Sequence, residues 1–163
     1  MGIYFKKLNR SYYRLLFFLS KMKIYILTFF ILFIDILITL LFSLVLFPNH
    51  TAGPTFNTKL EAFILAVIIA PIFETFFFQN WIINSVLNKY PKAFLVATLI
   101  SSLLFGLSHW YSLEYILITF ISGFLYGTLY LVALKKIKYP FFPVAIAHAT
   151  FNFIGFCIDF FLN

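Results

Sequence analysis

Apolar residues run along this chain in blocks of about twenty, separated by short polar or proline-bearing stretches. A helix that crosses a bilayer needs roughly 20 predominantly apolar residues. Five blocks qualify: residues 24–47, ended by Pro48; 60–87, with Pro71 inside; 93–109; 113–134; and 143–162. Their ends carry helix signals. Thr58-Lys59-Leu60-Glu61 is a capping box before the second block. Ser112 is placed to cap the fourth, with Glu114 in its first turn near the positive end of the helix dipole. Asn88-Lys89-Tyr90-Pro91 stops the second. Residues 3–23 read as an amphipathic interfacial helix with Tyr12, Tyr13, Leu15, Leu16, Phe17 and Phe18 toward lipid. With no repeat, linker or low-complexity tract, the pattern predicts a single membrane domain over residues 1–163. Its expected fold is an all-α, polytopic helix bundle of about five transmembrane helices plus an N-terminal interfacial helix.

Composition strengthens this picture. The 163 residues are 63% hydrophobic and 10% charged, with 25 Phe and 10 Tyr. A soluble domain is nearer half apolar and a quarter charged, whereas lipid solvates the excess. The net charge of +7 does not point to nucleic acid, because the basic residues flank apolar blocks and form no polar face of their own. With the N-terminus cytoplasmic, eleven of the twelve Lys and Arg fall inside and only Lys59 outside, as the positive-inside rule requires. Five spans then leave the C-terminus outside. The first block is too long for a signal-peptide core and lacks a small-residue cleavage site, so it reads as a retained helix. Lys6 breaks the myristoylation pattern that Gly2 begins. The single Cys157 rules out an intramolecular disulfide or a Cys-based zinc cluster, and reads as an inert buried thiol. Asn49-His50-Thr51 matches a glycosylation sequon.

Ionisable side chains are expensive in lipid, so each one inside a block calls for a reason. They are Asp35, Glu74, His109, His148 and Asp159, joined by the amide of Asn152. Glu74 sits mid-span among aromatic and aliphatic neighbours just after Pro71, which removes a backbone donor and distorts a helix. Such a setting suits a carboxyl that takes up and releases a proton. It equally fits a neutral Glu hydrogen-bonded between helices. His109 closes its span beside Trp110. His148 and Asn152 are four apart and so share one helix face, which fits a shared target or a helix-packing hydrogen bond. Asp35 reads as a structural partner inside the bundle or as a member of the site, and Asp159 as interfacial. Gly123 and Gly127 permit close helix approach without carrying chemistry.

One Glu, two His and one Asn thus come from three spans and can converge in a bundle interior. Glu74 and His109 could activate a water, with His148 and Asn152 donating to a developing oxyanion. Alternatively, Glu74, His109 and His148 could bind zinc. At 1.5 Å per residue, Glu74 and His109 lie roughly 20–25 Å from the inner ends of their blocks but His148 only about 10 Å. Tilt, the Pro71 distortion or a helix end set elsewhere must bring them level.

These residues resemble the CAAX prenyl protease and bacteriocin-processing family, also called the Abi family, over about residues 60–158. The family has three ordered motifs: Glu-Glu-x-x-x-Arg, Phe-x-x-x-His, and His-x-x-x-Asn or Asp. The second reads here Phe105-Gly106-Leu107-Ser108-His109 and the third His148-Ala149-Thr150-Phe151-Asn152. Glu74 matches the first Glu, while Thr75 and Gln79 stand where the second Glu and the Arg would be. The resemblance implies an intramembrane endopeptidase, multi-pass in a bacterial inner membrane, acting on a peptide or protein in or near the bilayer. Catalytic roles carry over to Glu74, His109, His148 and Asn152, with no cofactor required, or with zinc in a metal-dependent variant. The alternatives are a non-catalytic scaffold or bacteriocin-immunity protein of the same fold, and a small transporter subunit using Glu74 and Asp35.

Overall fold

The computed structural model describes residues 2–48 and 53–162, so the Asn49-His50-Thr51 sequon lies outside the described residues. Among the described residues six helices follow one another: α1 (Gly2–Leu19), α2 (Ile24–Leu46), α3 (Lys59–Lys89), α4 (Phe94–Ser108), α5 (Leu113–Lys136) and α6 (Phe141–Leu162). There is no strand among the described residues. Helices α2, α3, α5 and α6 are each long and apolar enough to cross a membrane. The third expected span, α4, has 15 residues and reaches about 22 Å, less than the ~30 Å hydrocarbon core. The chain is therefore a polytopic membrane helix bundle of four full-length spans and one short apolar helix.

The helix starts are chemically set. Thr58 Oγ1 accepts the Glu61 backbone N–H at 3.1 Å, and the Glu61 carboxylate accepts from the Asn57 N–H at 2.9 Å. Ser112 Oγ accepts from the Tyr115 N–H at 3.1 Å. The start of α4 is capped from another helix: Asn9 Oδ1 on α1 accepts from the Leu95 N–H at 3.1 Å. The same amide donates to the Lys92 carbonyl at 2.9 Å, across a turn where Lys92 adopts φ 71°.

Helix α1 departs from the expected interfacial arrangement in one respect. Tyr13, Leu15, Phe17 and Phe18 are exposed as anticipated, but Tyr12 and Leu16 are buried against protein rather than turned to lipid. The Tyr12 hydroxyl bonds Thr98 at 3.0 Å and Thr128 at 2.8 Å. Lys136 Nζ donates to the Ser20 carbonyl at 2.6 Å, tying the end of α1 to the end of α5.

Helix α5 is the centre of the bundle. Tyr126, Leu129, Tyr130, Leu131 and Val132 are buried in one core cluster with Tyr12, Leu16, Leu27, Ile31 and Ile83. The glycines at 123 and 127 let α4 approach closely. A Cβ on Gly123 would stand 2.9 Å from Phe105 Cδ1, and one on Gly127 would stand 2.9 Å from Thr98 Cγ2.

Pro71 does not break α3, which runs unbroken for 31 residues. Instead the helix widens to π-helical turns at Phe63–Ile69 and Thr75–Ile82, on either side of a short α-helical piece at Ala70–Glu74. Wider turns absorb the clash between a proline ring and the preceding carbonyl. Helix α6 runs antiparallel along α3. Lys59 lies over the Phe160 ring at 4.2 Å, Phe63 meets Phe156 at 5.5 Å, Asn152 meets Ala66, and His148 meets Glu74. Farther along, Tyr139 to Phe142 share one cleft with Phe76 and Asn80. The start of α6 therefore lies beside Asn80, about 14 Å in from the Lys89 end of α3. That offset, added to the roughly 10 Å from Phe141 to His148, brings His148 level with Glu74.

Candidate active site

Three helices contribute one ionisable group each to a single point. Glu74 Oε2 on α3 lies 3.8 Å from His109 Nε2 at the end of α4 and 3.6 Å from His148 Nε2 on α6. The Glu74 side chain is the most open of the three at 25% exposure, against 14% for His109 and 5% for His148. The carboxylate therefore faces an approach route while His148 is sealed in protein.

Phe105 explains why a Phe four residues before the His is useful. Its carbonyl accepts from His109 Nδ1 at 2.7 Å. In a neutral ring that bond puts the hydrogen on Nδ1, so Nε2 presents a lone pair toward Glu74. The Phe105 ring sits 4.6 Å from the His109 ring and 5.7 Å, edge-on, from the His148 ring, with Phe78 closing the other side at 5.4 Å. One aromatic side chain thus spaces both imidazoles. Tyr115 flanks His109 at 5.7 Å.

On its other contact, the His148 ring is stacked by Tyr126 at 5.0 Å and 30°. Sequence reasoning missed Tyr126. The only local signal was its place between Gly123 and Gly127 on the helix that approaches α4 most closely.

Asn152 stands one turn beyond His148. Among the described residues no hydrogen bond joins it to Glu74 or to either His; Nδ2 donates instead to the Ala66 carbonyl at 2.8 Å. The reason lies in α3. The Ala70 N–H bonds the Leu65 carbonyl in the widened turn, and Pro71 has no N–H. Ala66 thereby loses its usual helical donors, and Asn152 supplies one. An unpaired carbonyl in the bilayer would be costly, so this contact also fixes the register of α6 on α3.

Thr75 and Gln79 are fully buried, and among the described residues the Thr75 hydroxyl and both Gln79 amide atoms have no hydrogen-bond partner. Asp35 is also fully buried, and its Oδ1 accepts from the Ser122 hydroxyl at 2.6 Å. As for a metal, among the described residues no three His, Cys, Asp or Glu side chains stand in an arrangement that would hold one.

Residues 56–154 match the family model described as Type II CAAX prenyl endopeptidase Rce1-like. No curated protein and no solved structure matches the chain.

Proposed function

We propose that this chain, which belongs to the Type II CAAX prenyl endopeptidase Rce1-like family, is an intramembrane endopeptidase that hydrolyses a peptide bond with water activated by Glu74. The observation that carries this reading is the meeting of one carboxylate with two imidazole Nε2 atoms at 3.8 and 3.6 Å, each from a different helix.

A water at the apex of Glu74 and His109 donates one hydrogen to the carboxylate and the other to His109 Nε2. Glu74 takes the proton as the water oxygen attacks the substrate carbonyl carbon. The tetrahedral oxyanion accepts hydrogen bonds from His148 Nε2–H and from the second amide hydrogen of Asn152, the first being held by Ala66. Glu74 then passes its proton to the leaving nitrogen as the C–N bond breaks. No metal enters these steps.

The substrate is a peptide or protein segment in or beside the bilayer. An apolar groove of about 340 Å³ between α3 and α6, lined by Val67, Ile68, Ile72, Ala149, Thr150 and Phe153, opens one turn from Glu74 and supports approach from lipid. The basic residues around α1, the α3–α4 turn and the end of α5 support placing that end on the cytoplasmic side of the membrane. A second reading, a non-catalytic scaffold or immunity protein, is favoured by one observation. Thr75 and Gln79 supply neither the charge nor the pairing of the family's Glu and Arg.

The test compares peptide termini from cells expressing wild-type protein or Glu74→Gln at matched levels. Termini present only with wild type are expected. Identical termini, with a phenotype that survives the substitution, would select the scaffold.

A further inference from the structure

Among the described residues Asp35 is the one buried carboxylate that the hydrolytic steps leave unused. It lies on α2, outside the matched residues 56–154, and is completely buried. A carboxylate used only for helix packing would be expected to satisfy both oxygens. Here Oδ1 takes the Ser122 hydroxyl at 2.6 Å, but Oδ2 has no partner among the described residues. The Tyr126 hydroxyl lies against this carboxylate without meeting hydrogen-bond geometry, and it too has no partner. These are complementary groups, an acceptor and an O–H donor, buried beside one another. The other end of the same tyrosine is the ring stacked on His148 at 5.0 Å. Among the described residues His148 Nδ1 has no hydrogen-bond partner, so ring packing, by the Tyr126 face and the Phe105 edge, restrains that imidazole.

We propose that Asp35 is a positioning residue of the active site: it holds the Tyr126 hydroxyl, and the Tyr126 ring in turn fixes the His148 imidazole against Glu74. Ser122, one turn before Tyr126 on α5, orients the carboxylate by occupying Oδ1. Helix α2 thereby becomes part of the catalytic apparatus without touching substrate. The kinetic arm of the test rests on the peptidase reading; the spectroscopic arm does not.

The variants are Asp35→Asn, Tyr126→Phe and their combination, in the full chain in detergent. Asp35→Asn keeps size and an acceptor for Ser122 but presents an N–H₂ to Tyr126. Tyr126→Phe keeps the stacked ring and removes only the hydroxyl. Each is expected to lower kcat about 10-fold with KM within about 2-fold, the scale of a displaced catalytic group. The double variant is expected to fall no further than either single one, because both act through one contact. The ring ¹H and ¹³C signals of His148, assigned with His148→Gln, are expected to shift in both single variants. Wild-type kcat in folded Asp35→Asn, losses that multiply in the double variant, or unmoved His148 signals would each overturn the proposal. Should Asp35→Asn fail to fold, Tyr126→Phe decides alone by the same readings. A wild-type protein that cleaves nothing contradicts the peptidase reading, and the His148 signals then decide the role of Asp35.

Discussion

Along α4 and α5 the backbones are drawn together by glycines whose Cβ atoms would collide with Phe105 and Thr98. The most apolar stretch of α5 is 67% buried. Along α3 and α6 the equivalent figures are 17% and 22%, the helix is widened into π turns, and an apolar groove opens between the two. The closed seam supplies the rigid parts: Phe105, which spaces both imidazoles, and Tyr126, which stacks on His148. The open seam supplies the carboxylate. The division suits the proposed hydrolysis of a segment arriving from lipid, because a fully packed site would exclude the substrate and a fully open one would not hold two histidines in register.

The largest expected effect strikes where the seams meet. His109→Ala removes the imidazole proposed to orient water while leaving α4 packed on α5. Cleavage should fall about 100-fold or more, with the melting temperature in detergent little changed. A rate close to wild type would place the chemistry elsewhere.

Glycine substitutions separate the two seams by stability. Gly123→Leu drives a side chain into Phe105 and Ser102 and should destabilise by about 1–3 kcal/mol, the range for overpacking. Gly155→Ala, on α6, meets nothing within 4 Å and should leave the melting temperature unchanged. Equal losses from both would contradict the contrast.

A smaller effect tests the account of Asn152. Asn152→Ala strands the Ala66 carbonyl and should destabilise by about 1–2 kcal/mol. In a Pro71→Ala background residue 71 regains an N–H for that carbonyl, so the same substitution should cost less. An undiminished stability loss there would show that Asn152 does not serve Ala66. The loss of activity is expected to persist in both backgrounds, through the second amide hydrogen. Smallest of all, Gln79→Leu replaces two unpartnered amide atoms with methyl groups of similar volume. It should leave stability unchanged or raise it by about 1 kcal/mol; a clear loss would mean that Gln79 has a partner in the membrane.

Much of this was legible in the residues. The capping oxygens of Thr58 and Ser112 marked helix starts. The cost of charge in lipid singled out Glu74, His109 and His148, which the structure brings together. Other features depend on tertiary placement. An amphipathic helix has the same pattern whether its apolar stripe meets lipid or protein, so the inward turn of Tyr12 and Leu16 left no mark. The deep start of α6 beside Asn80 follows from packing of the segment around Tyr139 and Pro140, not from hydropathy. Asn152 could be placed on the His148 face by spacing, but its Ala66 partner follows from a π-helical register that no local pattern announces. Tyr126 was hidden because a tyrosine in an apolar helix is ordinary until its neighbours are known.

The most direct test of the central claim is the cleavage rate of reconstituted, full-length protein on a substrate identified from the termini comparison. It is measured for wild type and Glu74→Gln, each with and without a divalent-metal chelator. The account predicts wild-type cleavage that survives the chelator and falls at least about 100-fold in Glu74→Gln. Cleavage by Glu74→Gln at the wild-type rate, or wild-type activity abolished by the chelator and restored by zinc, would contradict it.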